Sequence, residues 1–392
     1  MTHVLLLVLS ICSPFDRADG GDIDGRLADG GICPDQAACC GGRAGCPPKR
    51  CEACRNVGAP VDTLNGFAWF DRTDVNVTQP WGPSVAFTRH YSTEWAQGEG
   101  GTNELGPMSV GWNHSFGAYL LGTTPAPGGI ISLRNADTST EEYFLQGSRY
   151  ATQHAARSLT WDSATQLYSA ERPDGSALIF DTQGRLRVMR SNDGGEAQLR
   201  YAADDTTCAV SASMPAGALC RVDFLFGRAL WFRYTNDKLT AVAWDNAFTI
   251  PVVTLAYTNG LLTSATGADG NAETYAYGFQ HKHLYANVQV PLLTQATDAD
   301  GKLVERFSYL QPALSPSRVS THATPDADYS FTWAYLDRTA TPPRVVRETR
   351  VRGSRENMNL TWANGAITSV CKLDSAGNCD ITRALEYVRA AR

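Results

Sequence analysis

Any chemistry in this chain would have to be built on its imidazoles, hydroxyls, carboxylates and thiols, and the sequence gathers few of them. His114 and Ser115 adjoin in the phrase GWNHS, but a His-Ser pair that closes a strand beside Trp112 reads as packing rather than as a nucleophile with its base. His281 and His283 alternate in QHKHLY, a spacing that puts two ring nitrogens on one strand face within reach of a metal. No third ligand lies near them in sequence, so a solvated loop accounts for the pair. There is no G-x-S-x-G elbow and no H-E-x-x-H, and Gly301-Lys302 is followed by Leu303 without the upstream glycine of a phosphate-binding loop. The many Asp-Gly pairs lack the regular spacing that would converge carboxylates on calcium, and turn formation suffices to explain them. The expectation is a chain that is not an enzyme, with no catalytic residues, no metal and no cofactor.

The thiols carry a different message. Setting Cys12 aside, six cysteines crowd into ICPDQAACCGGRAGCPPKRCEAC: Cys33, Cys39, Cys40, Cys46, Cys51 and Cys54. That stretch has almost no large apolar side chain, so cross-links or a metal must hold it. Disulfides are the favoured reading, with unassigned connectivity, and zinc on the Cys51-x-x-Cys54 pair plus two others is the rival. Cys208 with Cys220, and Cys371 with Cys379, form two local pairs, each bracketing a turn-rich loop that a disulfide would staple.

Oxidised cysteines imply export, and MTHVLLLVLSICSPF has the apolar length of an export signal and is too short to span a bilayer. It lacks a leading Lys or Arg, and Ile11 stands before Cys12 where a lipoprotein cleavage box has a small residue. An interior strand or a misassigned start is the alternative. The expected location is secreted or at the bacterial cell surface. Later segments offer no membrane span, and a formal net charge of −6 without basic runs argues against a nucleic-acid partner.

At 392 residues, with 43% hydrophobic and 19% charged side chains, the chain is globular. Its pattern is strands and turns. In LAYTNGLLTSATGADGNAETYAYGF, Asn259-Gly260 and Asp269-Gly270 punctuate segments of period two, the grammar of a meander. The same grammar recurs in RPDGSALIFDTQGRLRVMRSNDGGEAQLRY, in LLTQATDADGKLVERFSYL and in looser copies. Closing aromatics stand at Tyr201, Tyr234, Tyr257, Tyr277, Tyr309, Tyr335 and Trp362, separated by 33, 23, 20, 32, 26 and 27 residues. A helical solenoid would hold its period better. The fold expected is all-β: an irregular strand repeat array, a spiralling antiparallel sheet forming a partial shell, preceded by a small β domain and the Cys-rich segment. The boundaries expected are 1–20 for the signal-like segment, 21–57 for the Cys-rich segment, 58–150 for the small β domain and 151–392 for the array. Closing aromatics are expected to pack between neighbouring turns of the spiral.

The segment from Gly58 to Leu120 is the most specific of the chain. It carries Gly58, Pro60 and Val61, then Asn65 and Gly66, then the strand phrase with Phe87, Arg89 and Tyr91, and finally Gly111, Trp112, His114 and Ser115. These residues resemble the domain that opens proteins of the Rhs/YD-repeat family, and the downstream copies resemble that family's Tyr-Asp repeat. The Asp is kept at Asp181 and replaced by Thr235 and Thr258. The resemblance implies a repeat sheet that spirals into a shell, in many members around a toxin. It implies here an exported, non-enzymatic shell segment that houses or presents a toxin or effector in interbacterial competition, with further repeats or a toxin encoded downstream as its partner. After Cys379 only DITRALEYVRAAR follows, so a closed cocoon is not expected. The alternative is a surface adhesion or carbohydrate-contact module, because Trp69, Trp81, Trp95, Trp112, Trp161, Trp231, Trp244, Trp333 and Trp362 are spread along the chain and exposed aromatics stack on sugars.

Overall fold

The computed structural model divides the chain into two compact units, residues 1–31 and 32–392. It describes residues 61–62, 66–98, 108–123, 129–146, 149–151, 158–202, 204–205, 208, 214–215, 217–282, 285–310, 317–336, 346–353, 357–363, 366–374, 376, 378 and 385–386. All of them belong to the second unit. The signal-like segment, the Cys-rich segment, Gly58, Pro60 and Asn65 lie outside the described residues.

The described residues are almost all strand, as the period-two patterning predicts. A three-stranded antiparallel sheet comes first, made of β1 (Trp69–Val77), β2 (Val85–Ser92) and β3 (Trp112–His114). A one-turn helix, α1 (Thr93–Gln97), follows β2, started by the Ser92 hydroxyl, which accepts from the Glu94 and Trp95 N–H groups. A second, long ladder then runs through β4 (Tyr119–Leu121), β5 (Ile130–Arg134), β6 (Thr140–Gln146), β7 (Arg149–Ala151), β8 (Ser158–Asp162), β9 (Leu167–Glu171), β10 (Ala177–Phe180) and β11 (Leu186–Arg190). It continues through β12 (Glu196–Tyr201), β13 (Leu219–Asp223), β14 (Ala229–Thr235), β15 (Lys238–Ala243), β16 (Pro251–Thr258), β17 (Leu261–Gly267), β18 (Ala272–Lys282), β19 (Tyr285–Thr297) and β20 (Leu303–Leu310). It ends with β21 (Arg318–Ala323), β22 (Asp328–Leu336), β23 (Val346–Gly353), β24 (Asn357–Ala363), β25 (Ala366–Lys372) and β26 (Leu385–Glu386).

Every strand from β4 onward pairs antiparallel with the next in chain order. No register pair joins β26 to β4 among the described residues, so the sheet is not closed end to end. Its beginning does curl back. Tyr119 of β4 bridges Arg185 just before β11, and the Leu120 N–H donates to the Gly184 carbonyl at 2.9 Å. The ladder thus begins inside the 58–150 stretch, at Tyr119.

A single device repeats along the ladder. The Asp-Gly hairpins β11–β12, β17–β18 and β19–β20 each have three register pairs near the turn and then part. Across the parting strands a tyrosine hydroxyl donates to a leucine carbonyl: Tyr201 to Leu186 at 2.8 Å, Tyr277 to Leu262 at 2.6 Å, Tyr309 to Leu293 at 2.5 Å. The hairpins β13–β14 and β15–β16, with other turns, do the same through Tyr234 to Leu219 and Tyr257 to Leu239, both at 2.7 Å. In β21–β22 the donor is the Trp333 indole N–H, to Val319 at 2.8 Å. Each aromatic then registers against the next leucine or valine across a β-bulge: Tyr201 with Leu219, Tyr234 with Leu239, Tyr257 with Leu262, Tyr277 with Leu293, Tyr309 with Val319. A bulge interrupts the ladder and bends its strand, and the side-chain donor replaces the backbone donor that parting has removed.

Tyr201 and Tyr234 belong to one core cluster shared by both sheets, Tyr257, Tyr277 and Tyr309 pack against it, and each latches its own hairpin. In the β21–β22 hairpin Trp333, also packed against that cluster, serves as the latch, because a ring nitrogen donates as well as a phenol. The side chains of Tyr335 and Trp362 lie outside the described residues.

The residue after each aromatic and the residue after each leucine share the opposite face. In β10–β11 the aromatic–leucine pair is Phe180 with Leu186, and the residues after them, Asp181 and Arg187, meet on that face at 3.3 Å. In the later repeats the same two positions hold Thr235 with Thr240, hydroxyls 3.3 Å apart, and Thr258 with Thr263, 3.4 Å apart. The departure from Tyr-Asp is therefore a paired change, in which a charged cross-strand couple becomes a hydroxyl couple. Between Tyr257 and Leu262 the chain reverses on Asn259 and Gly260, both at positive φ (51° and 77°), as a two-residue primed hairpin requires.

Tyr234→Phe keeps the buried ring and deletes the donor to Leu219. It is expected to cost about 1–2 kcal/mol in denaturant titration. Tyr234→Trp, which restores a ring N–H of the kind Trp333 uses, is expected to recover part of that loss in the same titration.

Candidate functional site

The small sheet is laid on the ladder by the residues of its own motif. Along β2, Val85, Phe87, Arg89 and Tyr91 alternate inward and all four are buried. Phe87 meets Phe232 of β14 edge-on at 6.0 Å, Arg89 hydrogen-bonds the Tyr275 hydroxyl on β18, and the Tyr91 hydroxyl accepts the Leu293 N–H of β19 at 2.8 Å. Leu293 therefore has its N–H and its C=O taken by two phenols, Tyr91 and Tyr309. On β3 the Trp112 indole donates to the Tyr277 hydroxyl at 2.8 Å, so one latch tyrosine is itself held by the small sheet. Gly111, ahead of Trp112, has φ +78°, and a Cβ there would stand 2.7 Å from the Tyr91 ring.

Further ties run along the same seam. The Gln97 side-chain amide exchanges two hydrogen bonds with the Ser317 backbone, at 3.1 and 2.6 Å, as a neighbouring strand would. The Val319 N–H donates to the Gly66 carbonyl at 2.9 Å. The Lys238 ammonium donates to the Met108 carbonyl at 2.8 Å, and the Gly82 N–H to Asp193 at 2.8 Å.

At the centre of the seam lies a buried ionic group. Asp74 is the extra residue of the β1 bulge between Thr73 and Val75 and receives Arg89 in a fork, at 2.7 and 2.9 Å. Arg72 reaches Glu273 of β18 at 2.7 Å, and the Tyr275 hydroxyl donates to Glu273 at 2.5 Å. Burial pushes the Asp74 carboxyl above its ordinary value, against the opposing pull of Arg89. Burial also works against the Arg89 charge, but Tyr275 and Asp74 more than offset it and hold the guanidinium protonated. Burial raises Tyr91, Tyr201, Tyr234, Tyr257, Tyr275, Tyr277 and Tyr309, which keeps every phenol of the seam and of the latches neutral and able to donate.

His114 is likewise a packing group. Its ring stacks on Phe87 at 5.7 Å and lies near Phe116 and Phe232, and its Nδ1 accepts the Phe116 N–H at 3.3 Å. Burial, with His90 nearby, lowers its pKa to about 3, so the ring is neutral with its proton on Nε2. The Ser115 hydroxyl accepts the Thr88 N–H at 2.7 Å, which pins the β2–β3 edge. What this site does chemically is hold two sheets in register.

The remaining sequence candidates are scattered. Cys208 and Cys220 are joined, with Cα atoms 5.7 Å apart, across the loop between β12 and β13. Cys371 is disulfide-bonded, and its partner and Cys379 lie outside the described residues. The six clustered cysteines lie outside them too. The His281 backbone pairs with Gln289 in β18–β19, and His283 is not among the described residues. Among the described residues no three His, Cys, Asp or Glu gather as metal ligands. Sequence reading missed Asp74, Gln97, Glu273 and the latch leucines. A leucine 15 residues before Tyr201, Tyr234 and Tyr277 was the available signal for the last.

No family model and no curated protein matches the chain. Among solved structures it is similar to the Photorhabdus luminescens Tc holotoxin pore in a TccC3-mutant form, at 11% identity and TM-score 0.25. It is also similar to TcdB2-TccC3-TEV, at 10% identity and TM-score 0.24. Each match covers 78% of this chain and 17% of the other, so this chain spans less than a fifth of either. At such scores the reading of this chain rests on its own geometry.

Two outcomes test the seam. Arg89→Met strands the buried Asp74 carboxylate and is expected to cost about 3–5 kcal/mol, with part of the loss recovered in the Arg89→Met/Asp74→Leu double variant. His114 has its folded pKa depressed from 6.5 to about 3, so its contribution is complete above pH 6.5 and is lost as pH falls toward 3. About 3 kcal/mol should be gone by about pH 4, and His114→Phe should flatten that slope in denaturant titrations across the range.

Proposed function

We propose that this chain is an exported, non-catalytic repeat scaffold of the Rhs/YD type that houses or presents a toxin or effector partner. The observation that carries this reading is the unbroken series of aromatic latches from Tyr201 to Trp333. It gives a structural role to the repeat tyrosine of the family that the sequence resembles. The opening motif supports it as well, because Phe87, Arg89, Tyr91, Trp112 and His114 all serve to seat the first sheet on the repeats. A buried disulfide at Cys208–Cys220 suits an oxidising compartment and hence export.

A second reading, carbohydrate contact at a cell surface, has one observation in its favour. Trp81 is 59% exposed, whereas Trp69, Trp95 and Trp112 are buried. Co-expression with the product of the adjoining downstream reading frame separates the two. The scaffold reading expects co-elution and protection of that product from added protease, and a free, fully cleaved product would overturn it. The carbohydrate reading instead expects oligosaccharides to change tryptophan fluorescence in the wild type and not in Trp81→Ala.

A further inference from the structure

The latch hairpins differ in what they insert between an aromatic and the next leucine. Tyr234 and Leu239, and Tyr257 and Leu262, are joined by tight turns on Asn236-Asp237 and Asn259-Gly260. Between Tyr277 and Leu293 the chain instead makes an arm. Strands β18 and β19 have 11 and 13 residues, yet only Ala272–Thr274 of β18 pair with β17, and only Gln295–Thr297 of β19 pair with β20. Among the described residues, β18 from Ala276 to Lys282 pairs with β19 alone.

The two edges of this arm are not equivalent. On β19, Pro291 has no N–H to offer, and Leu293 has both backbone groups occupied by Tyr91 and Tyr309. Along β18 no proline intervenes, Ala276 is exposed, and Phe279 is 61% exposed. A two-stranded ribbon is marginal in water by itself, and an unpaired edge is a template for another strand. Charge narrows the occupant. From Thr274 to Thr297 the sequence has no Asp or Glu, and its ionisable basic groups are His281, Lys282 and His283, in a chain of net charge −6. That disfavours a second copy of the same edge and favours an acidic strand.

We propose that the β18 edge of this arm is a strand-addition site for an extended acidic polypeptide segment. The proposal stands independently of what the whole chain houses or presents. Its test is hydrogen exchange on the full chain, alone, with a synthetic peptide of alternating valine and glutamate, and with the valine-lysine counterpart. Opposite Leu293 and Pro291, whose backbone groups face away from β18, Tyr277 and Phe279 present theirs to the open edge, and His281 follows by alternation. The glutamate peptide is expected to slow exchange of the Tyr277, Phe279 and His281 amides, and Phe279→Pro to weaken its binding at least about tenfold. Lys282→Glu, a charge reversal that leaves the backbone donors in place, should shift preference toward the lysine peptide. Equal slowing by both peptides, slowing by neither, or slowing that grows with protein concentration without peptide would each overturn the proposal, the last by assigning the edge to a second copy.

Discussion

A phenol tip reaching a leucine carbonyl is the constraint on which the ladder depends. Antiparallel hairpins that stayed fully paired would add up to a regular twisted sheet, whereas these part after three register pairs and bend at bulges. Parting leaves backbone carbonyls facing an apolar core, where an unmade hydrogen bond is costly. Tyrosine answers that need because it carries a donor at the end of a large apolar ring, and burial raises its pKa so that the donor is retained. The same side chain thus fills the core and satisfies the bend that the core requires.

The small sheet exploits these bends. Tyr91 takes the other backbone group of a leucine that is already latched, and Trp112 takes the oxygen of a latch phenol. Both contacts exist only where the ladder has opened, so the seat for β2 and β3 is created by the repeats themselves. The ion group of Asp74, Arg89 and Glu273 adds orientation, since a fork between guanidinium and carboxylate tolerates little rotation.

Much of this was legible in the sequence, because turn dipeptides and period-two alternation are local signals. The strands β16, β17 and β18 follow directly from the phrase around Asn259-Gly260 and Asp269-Gly270. Arg89, Tyr91 and Trp112 could be singled out as a motif, but not what they touch, because Tyr275, Leu293 and Tyr277 are distant in sequence and nothing local encodes the meeting. The leucine positions escaped notice for another reason. The spacings from one aromatic to the next vary with loop length at both ends of each hairpin, while the leucine-to-aromatic spacing spans one turn only and stays at 15 in three of the hairpins. The start of the ladder at Tyr119 depends on a bridge to Arg185, a contact no window of sequence contains.

The couples on the face opposite the aromatic–leucine pairs govern how the ladder responds to its medium. Asp181 with Arg187 is a Coulombic couple near solvent, and dissolved ions screen it. Thr235 with Thr240 and Thr258 with Thr263 carry no charge to screen. Brine would therefore weaken the couple at β10–β11 while leaving those at β14–β15 and β16–β17 indifferent, so equivalent positions along the ladder answer differently to salt.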